Sequence, residues 1–173
     1  MAGGTLNVIN NLTNIMRVGD FGAGSLSISN GSANIGNLSV GRHDGALGTV
    51  TLLSGGEIKA ADDVSVGRFS GATGLVLVAG GTLRITNNSL WVGREGHGQL
   101  VVSNGLVHVD HLNVAVVPTN TARGSVLVTG GMTLLNSNLT LGAMTTSTGQ
   151  VQVTDGDLVI SNESHTALSL IHI

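Results

Sequence analysis

The chain is built from short runs in which apolar and small polar residues alternate. Leu26/Ile28, Val50/Leu52, Val76/Val78, Leu100/Val102, Val126/Val128 and Val151/Val153 are apolar pairs spaced two residues apart. That spacing puts both members on one face of a strand. A glycine precedes each pair: Gly24, Gly48, Gly74, Gly98, Gly124 and Gly149, in steps of 24, 26, 24, 26 and 25 residues. A fixed period of this length marks a solenoid or array.

Each unit predicts three strands. A corner follows the first, at Asn30-Gly31, Gly55-Gly56, Gly80-Gly81, Asn104-Gly105, Gly130-Gly131 and Asp155-Gly156. These residue types tolerate the positive φ of a sharp turn. The second strand carries pairs such as Leu83/Ile85, Val107/Val109 and Leu158/Ile160. The third carries Leu38/Val40, Val64/Val66, Leu90/Val92, Leu112/Val114 and Leu139/Leu141. One such rung cannot bury its own apolar side. Rungs stacked ~4.8 Å apart hydrogen-bond strand to equivalent strand and join the inward residues into columns. The expected fold is an all-β, three-sided parallel β-helix of six to seven rungs. No 3.6-residue apolar period appears, so helix content should be close to nil.

Val-Gly-Arg occurs at 40–42, 66–68 and 92–94. In this frame Val40, Val66 and Val92 close the third strand facing inward, and Gly41, Gly67 and Gly93 take the corner. Arg42, Arg68 and Arg94 stack outside at the start of a variable loop. Ala115 and Gly142 hold the corner in later units, where Val116 and Ala143 replace the arginine. A structural corner explains the motif better than a ligand site used three times.

Composition narrows the function. The chain is 41% hydrophobic but 2% aromatic and 10% charged, with 27 Gly and 1 Pro. Disordered chains have the opposite balance, low hydrophobicity with high charge. The net charge is −3 and Lys59 is the only lysine. With no basic run to neutralise phosphates, nucleic acid is not an expected partner. There is no cysteine, hence no disulfide framework and no thiolate metal site. No apolar run approaches the ~18 residues of a membrane span.

Units of the form Gly24-x-Leu26-x-Ile28-x-Asn30-Gly31, followed by Leu38-x-Val40-Gly41-Arg42, resemble the repeat of bacterial autotransporter (type V secretion) passengers and PEP-CTERM-associated surface proteins. The resemblance runs from Gly3 to about Leu170. It implies a right-handed β-helical rod, export, and display at the outer surface. Met1-Ala2 runs straight into Gly3-Gly4-Thr5-Leu6, which matches the middle of a unit (Gly80-Gly81-Thr82-Leu83). The expectation is therefore a single array over residues 1–170, cut at both ends. Ala167-Leu168-Ser169-Leu170 fits a third strand. Residues 168–173, LSLIHI, are also what one frame of a widely used transposon-end sequencing adapter encodes, and are expected to be read-through.

Candidate chemistry is sparse. His108 and Asp110 share a strand face, with His111 beside them, but a zinc site needs three or four ligands and no third recurs on neighbouring rungs. Asp62-Asp63 is a single carboxylate pair, where a β-helical polysaccharide lyase would place acids on adjacent rungs with a base. Both groups are expected to be solvated corner residues, with no cofactor and no metal. Trp91 should point outward, at a position equivalent to Ser39, Ser65, Asn113 and Thr140. An outward Trp stacks on a sugar or anchors a partner, unless it packs under a loop. Leu77, Val101 and Leu127 take outward slots of the first strand and, with Leu75, form an apolar stripe across three or four rungs. Such a stripe marks an interface unless the loop Val117–Arg123 covers it.

The expectation is a non-enzymatic stalk or adhesive segment, secreted or displayed at the outer membrane. Its partners would be a host-cell, glycan or matrix surface, or further copies joined through the stripe or the open solenoid ends. The alternatives are a fragment of a polysaccharide-acting β-helical enzyme, or a spacer for a domain elsewhere.

Overall fold

In a computed structural model the chain is described at residues 2–8, 15–117, 122–143 and 145–161, and as backbone at 168–172. The strands are β1 (Thr5–Val8), β2 (Ile15–Val18), β3 (Ala23–Ile28), β4 (Ser32–Ile35), β5 (Asn37–Val40) and β6 (Leu47–Leu53). Then come β7 (Glu57–Ala60), β8 (Val64–Val66), β9 (Thr73–Ile85), β10 (Ser89–Val92) and β11 (His97–Val114). The last are β12 (Arg123–Val128), β13 (Met132–Leu141), β14 (Thr148–Val153), β15 (Asp157–Ser161) and β16 (Leu168–His172). No helix occurs among the described residues.

Pairing resolves these strands into three parallel ladders, as a β-solenoid requires. The first face runs β3, β6, the start of β9, the start of β11, β12, β14. The second runs β1, β4, β7, the end of β9, the middle of β11, the start of β13, β15. The third runs β2, β5, β8, β10, the end of β11, the end of β13. Equivalent residues stand in register. Gly24, Gly48, Gly74, Gly98, Gly124 and Gly149 form one column, and Leu26, Val50, Val76, Leu100, Val126 and Val151 the next.

The core is these inward columns. Ile28, Leu52, Val78, Val102 and Val128 on the first face are fully buried. So are Leu38, Val64, Leu90 and Leu112 on the third, and Ile58, Leu83, Val107 and Leu158 on the second. Thr133 interrupts the second-face column. It is fully buried, and its hydroxyl has no hydrogen-bond partner.

The Val-Gly-Arg corner is as expected. Gly67 N donates to Val40 O at 2.8 Å, Gly93 N to Val66 O at 2.7 Å and Ala115 N to Val92 O at 3.0 Å. The next residues continue the ladder, with Arg42 N donating to Gly19 O and Arg68 N to Gly41 O. The corner also abuts the first-face glycine column: a β-carbon on Gly98 would lie 2.0 Å from Gly93 N and 2.4 Å from Val66 O.

One expectation fails. Leu168–His172 does not add a rung to the third face. As β16 it pairs antiparallel with β15, Ser161 opposite Leu168 and Asp157 opposite His172. An open sheet edge accepts any extended segment, and a short return favours antiparallel pairing over a parallel crossover.

Candidate ligand-binding surfaces

Two outward surfaces carry the candidate residues. On the first face the ladder Ser27–Thr51–Leu77–Val101–Leu127–Gln152 is confirmed by register. Leu77, Val101 and Leu127 are half-buried, each shielded by its neighbours along the ladder. Leu75 belongs to the adjoining ladder, Thr49–Leu75–Gln99–Ser125–Gln150. It shares a rung with Leu77, so it widens the stripe without lengthening it. Beside it runs a shallow groove of about 560 Å³, lined by Leu75, His97, Gln99, Arg123, Ser125 and Thr148 among others. Pro118–Thr121 of the loop weighed as the alternative cover for the stripe lie outside the described residues.

On the third face Trp91 takes its expected place in the ladder Arg17–Ser39–Ser65–Trp91–Asn113–Thr140. It is half-buried, with the Arg94 guanidinium 5.0 Å from its ring centre and its indole N–H buried without a partner. Ser39 and Ser65, expected as outward surface residues, are 0% and 3% exposed. They are small side chains that stand between Arg17 and Trp91 in the ladder.

The corner beyond this face holds a cluster that the candidate residues did not include. Aligned on Gly19, Gly41, Gly67 and Gly93, the next position reads Asp20, Arg42, Arg68, Arg94, and the one after reads Phe21, His43, Phe69, Glu95. The rings of Phe21 and His43 are stacked, 4.2 Å apart and 7° from parallel, and His43 is 5.3 Å from Phe69. The guanidinium carbons of Arg42 and Arg68 lie 5.8 and 5.2 Å from the Phe69 ring centre. Arg42 Nη1 donates to Asp20 Oδ1 at 3.2 Å. Arg17 Nε at 3.9 Å and His43 Nε2 at 3.7 Å approach the same oxygen. Burial holds the Arg68 pKa below the usual arginine value, helped by the charges of Arg94, Arg42 and Arg17, while Glu95 acts the other way. Reading the units as columns was the signal that could have found this cluster.

The remaining polar groups bind one another across rungs. His108 Nδ1 lies 3.0 Å from Arg84 Nη1, and His108 Nε2 lies 3.1 Å from Asn136 Oδ1. Asn136 Nδ2 donates to Asp110 Oδ1 at 2.7 Å. Asn136 thus stands between His108 and Asp110, the two candidate metal ligands that the strand places on one face. Asp62 accepts from Asn37 Nδ2 at 2.9 Å and from Asp63 N, and Asp63 Oδ1 accepts from Ser89 N at 3.1 Å. This carboxylate pair ties adjacent rungs together. Among the described residues no group of three or more His, Cys, Asp or Glu is placed to hold a metal ion. Nor is any helix there long and apolar enough to cross a membrane. Compared with protein-family models, curated proteins and solved structures, the chain matches none.

Proposed function

We propose that this chain is a non-catalytic segment of a secreted or surface-displayed bacterial protein, acting as stalk or adhesive passenger. The observation that carries this is the in-register outer ladder Leu77–Val101–Leu127, flanked by the groove, which offers one kind of contact again and again along the rod. Shallow contacts repeated in this way gain strength through effective concentration. The resemblance of the repeat to autotransporter and PEP-CTERM-associated proteins supports export and outer-surface display. An enzyme of the polysaccharide-acting kind would need carboxylates and a base clustered on neighbouring rungs, whereas Asp62 and Asp63 are engaged in holding rungs together.

The test is binding of the purified chain to immobilised glycans, matrix proteins and whole cells. The adhesive reading predicts retention that Leu77→Ser or Trp91→Ala weakens. No retention on any surface would make the segment a spacer and overturn adhesion.

A further inference from the structure

The corner accounts for the valine and glycine of Val-Gly-Arg but not for the arginine. Arg42, Arg68 and Arg94 follow the corner glycine on consecutive rungs; Arg68 N donates to Gly41 O, and on the next rung Gly67 O accepts from Glu95 N and Gly96 N. Like charges directly opposite on neighbouring strands are destabilising. Here three stand in a row, with Arg17 on the adjoining face. Four arginines meet three carboxylates on the corner loops, Asp20, Asp44 and Glu95, in a chain whose net charge is −3. Asp20 is shared among Arg17, Arg42 and His43. The Nε groups of Arg42 and Arg68 are buried without hydrogen-bond partners.

All the aromatic residues of the chain, two Phe and one Trp, lie at this corner or on the face beside it. Phe21 ends the ring stack and is 76% exposed. A guanidinium lying on a ring keeps its N–H groups along its edge, where a planar carboxylate takes two at once. Three rungs span about 10 Å, room for two or three sugars of an extended chain. The net negative charge of the protein keeps the attraction local, which suits a short contact rather than a long polyphosphate.

We infer that this corner binds a uronate-bearing glycan, its carboxylates paired with Arg68 and Arg94 and a sugar face stacked on Phe21. The inference deepens the adhesive reading and rests on it. The ligand adds negative charge to a corner where four arginines meet three carboxylates.

The experiment is calorimetric titration of the purified chain with polygalacturonate. Dextran, dextran sulfate and single-stranded DNA serve as comparison probes. Polygalacturonate should bind, weaken with added salt, and raise the melting temperature by linkage. Arg68→Gln should cost about tenfold or more in affinity. Phe21→Ala changes an exposed ring that the core does not use, and should cost about threefold with folding intact. Arg68→Lys should recover only part of the binding, because ammonium cannot pair bidentately. The inference is overturned if dextran, dextran sulfate or DNA binds as tightly as polygalacturonate, or if neither Arg68→Gln nor Phe21→Ala weakens binding. It is also overturned, with adhesion standing, if polygalacturonate fails while another glycan or surface retains the chain through Leu77. Failure on every glycan and every surface removes the adhesive reading itself.

Discussion

A β-carbon on Gly67 would stand 2.2 Å from the carbonyl oxygen of His97, where the first-face strand of the next rung begins. The obstacle is backbone, which cannot swing aside as a side chain can. Gly67 also has φ +69°, a region that costs an L-residue roughly 1–2 kcal/mol before any clash. Gly67→Ala should therefore destabilise the array by about 3 kcal/mol or more. Urea denaturation followed by circular dichroism measures this, and a loss below about 1 kcal/mol would show that the rungs can slide apart to admit a methyl group.

Ala115 is the same corner one rung beyond Gly93, with φ +53° and a side chain. Its N–H still reaches Val92 O, so the corner is held at the expense of strain. Ala115→Gly should raise stability by about 0.5–1 kcal/mol, since relief of the left-handed conformation outweighs the extra freedom of glycine in the unfolded chain. A lower denaturation midpoint would mean that the contacts of the buried methyl are worth more than the strain.

Thr133 carries an unpartnered hydroxyl into a column continued by Val107 and Leu158. Thr133→Val keeps the branched shape and removes the desolvated hydroxyl, for an expected gain of about 1 kcal/mol. Matched melting curves of the two proteins decide the point. An unchanged or lower melting temperature would indicate that the hydroxyl finds a bridging water.

The partners of His108 assign its tautomer. Arg84 can only donate, so Nδ1 accepts and the ring proton sits on Nε2, from which it donates to Asn136 Oδ1. That orientation leaves the Asn136 amide to donate to Asp110. Nitrogen-15 NMR at neutral pH should show Nε2 protonated and Nδ1 bare. Asn136→Ala should loosen that preference, and a dominant Nδ1–H form in the parent protein would contradict the chain of bonds.

The sequence by itself determined the period, the three strands of each rung, the inward columns and the glycine corners. These are local facts repeated every 24 to 26 residues. Alternation sets the buried face, positive φ sets the turn, and parallel stacking makes one unit's pattern serve for all. The outer surface was only partly legible. Trp91 and Leu77 kept their expected ladders, and the Phe21–His43–Phe69 column was present in the spacing from Gly19, Gly41 and Gly67. What only the tertiary structure decided is where long side chains go after leaving the backbone. Arg94 folds onto Trp91, Ser39 and Ser65 are buried, and Asn136 bridges His108 to Asp110. The antiparallel seat of Leu168–His172 on β15 belongs to the same class. Period dictates the strand-to-strand register because every rung repeats the same bonds. Rotamers and edge pairings depend on neighbours that occur once, and no repeat encodes them.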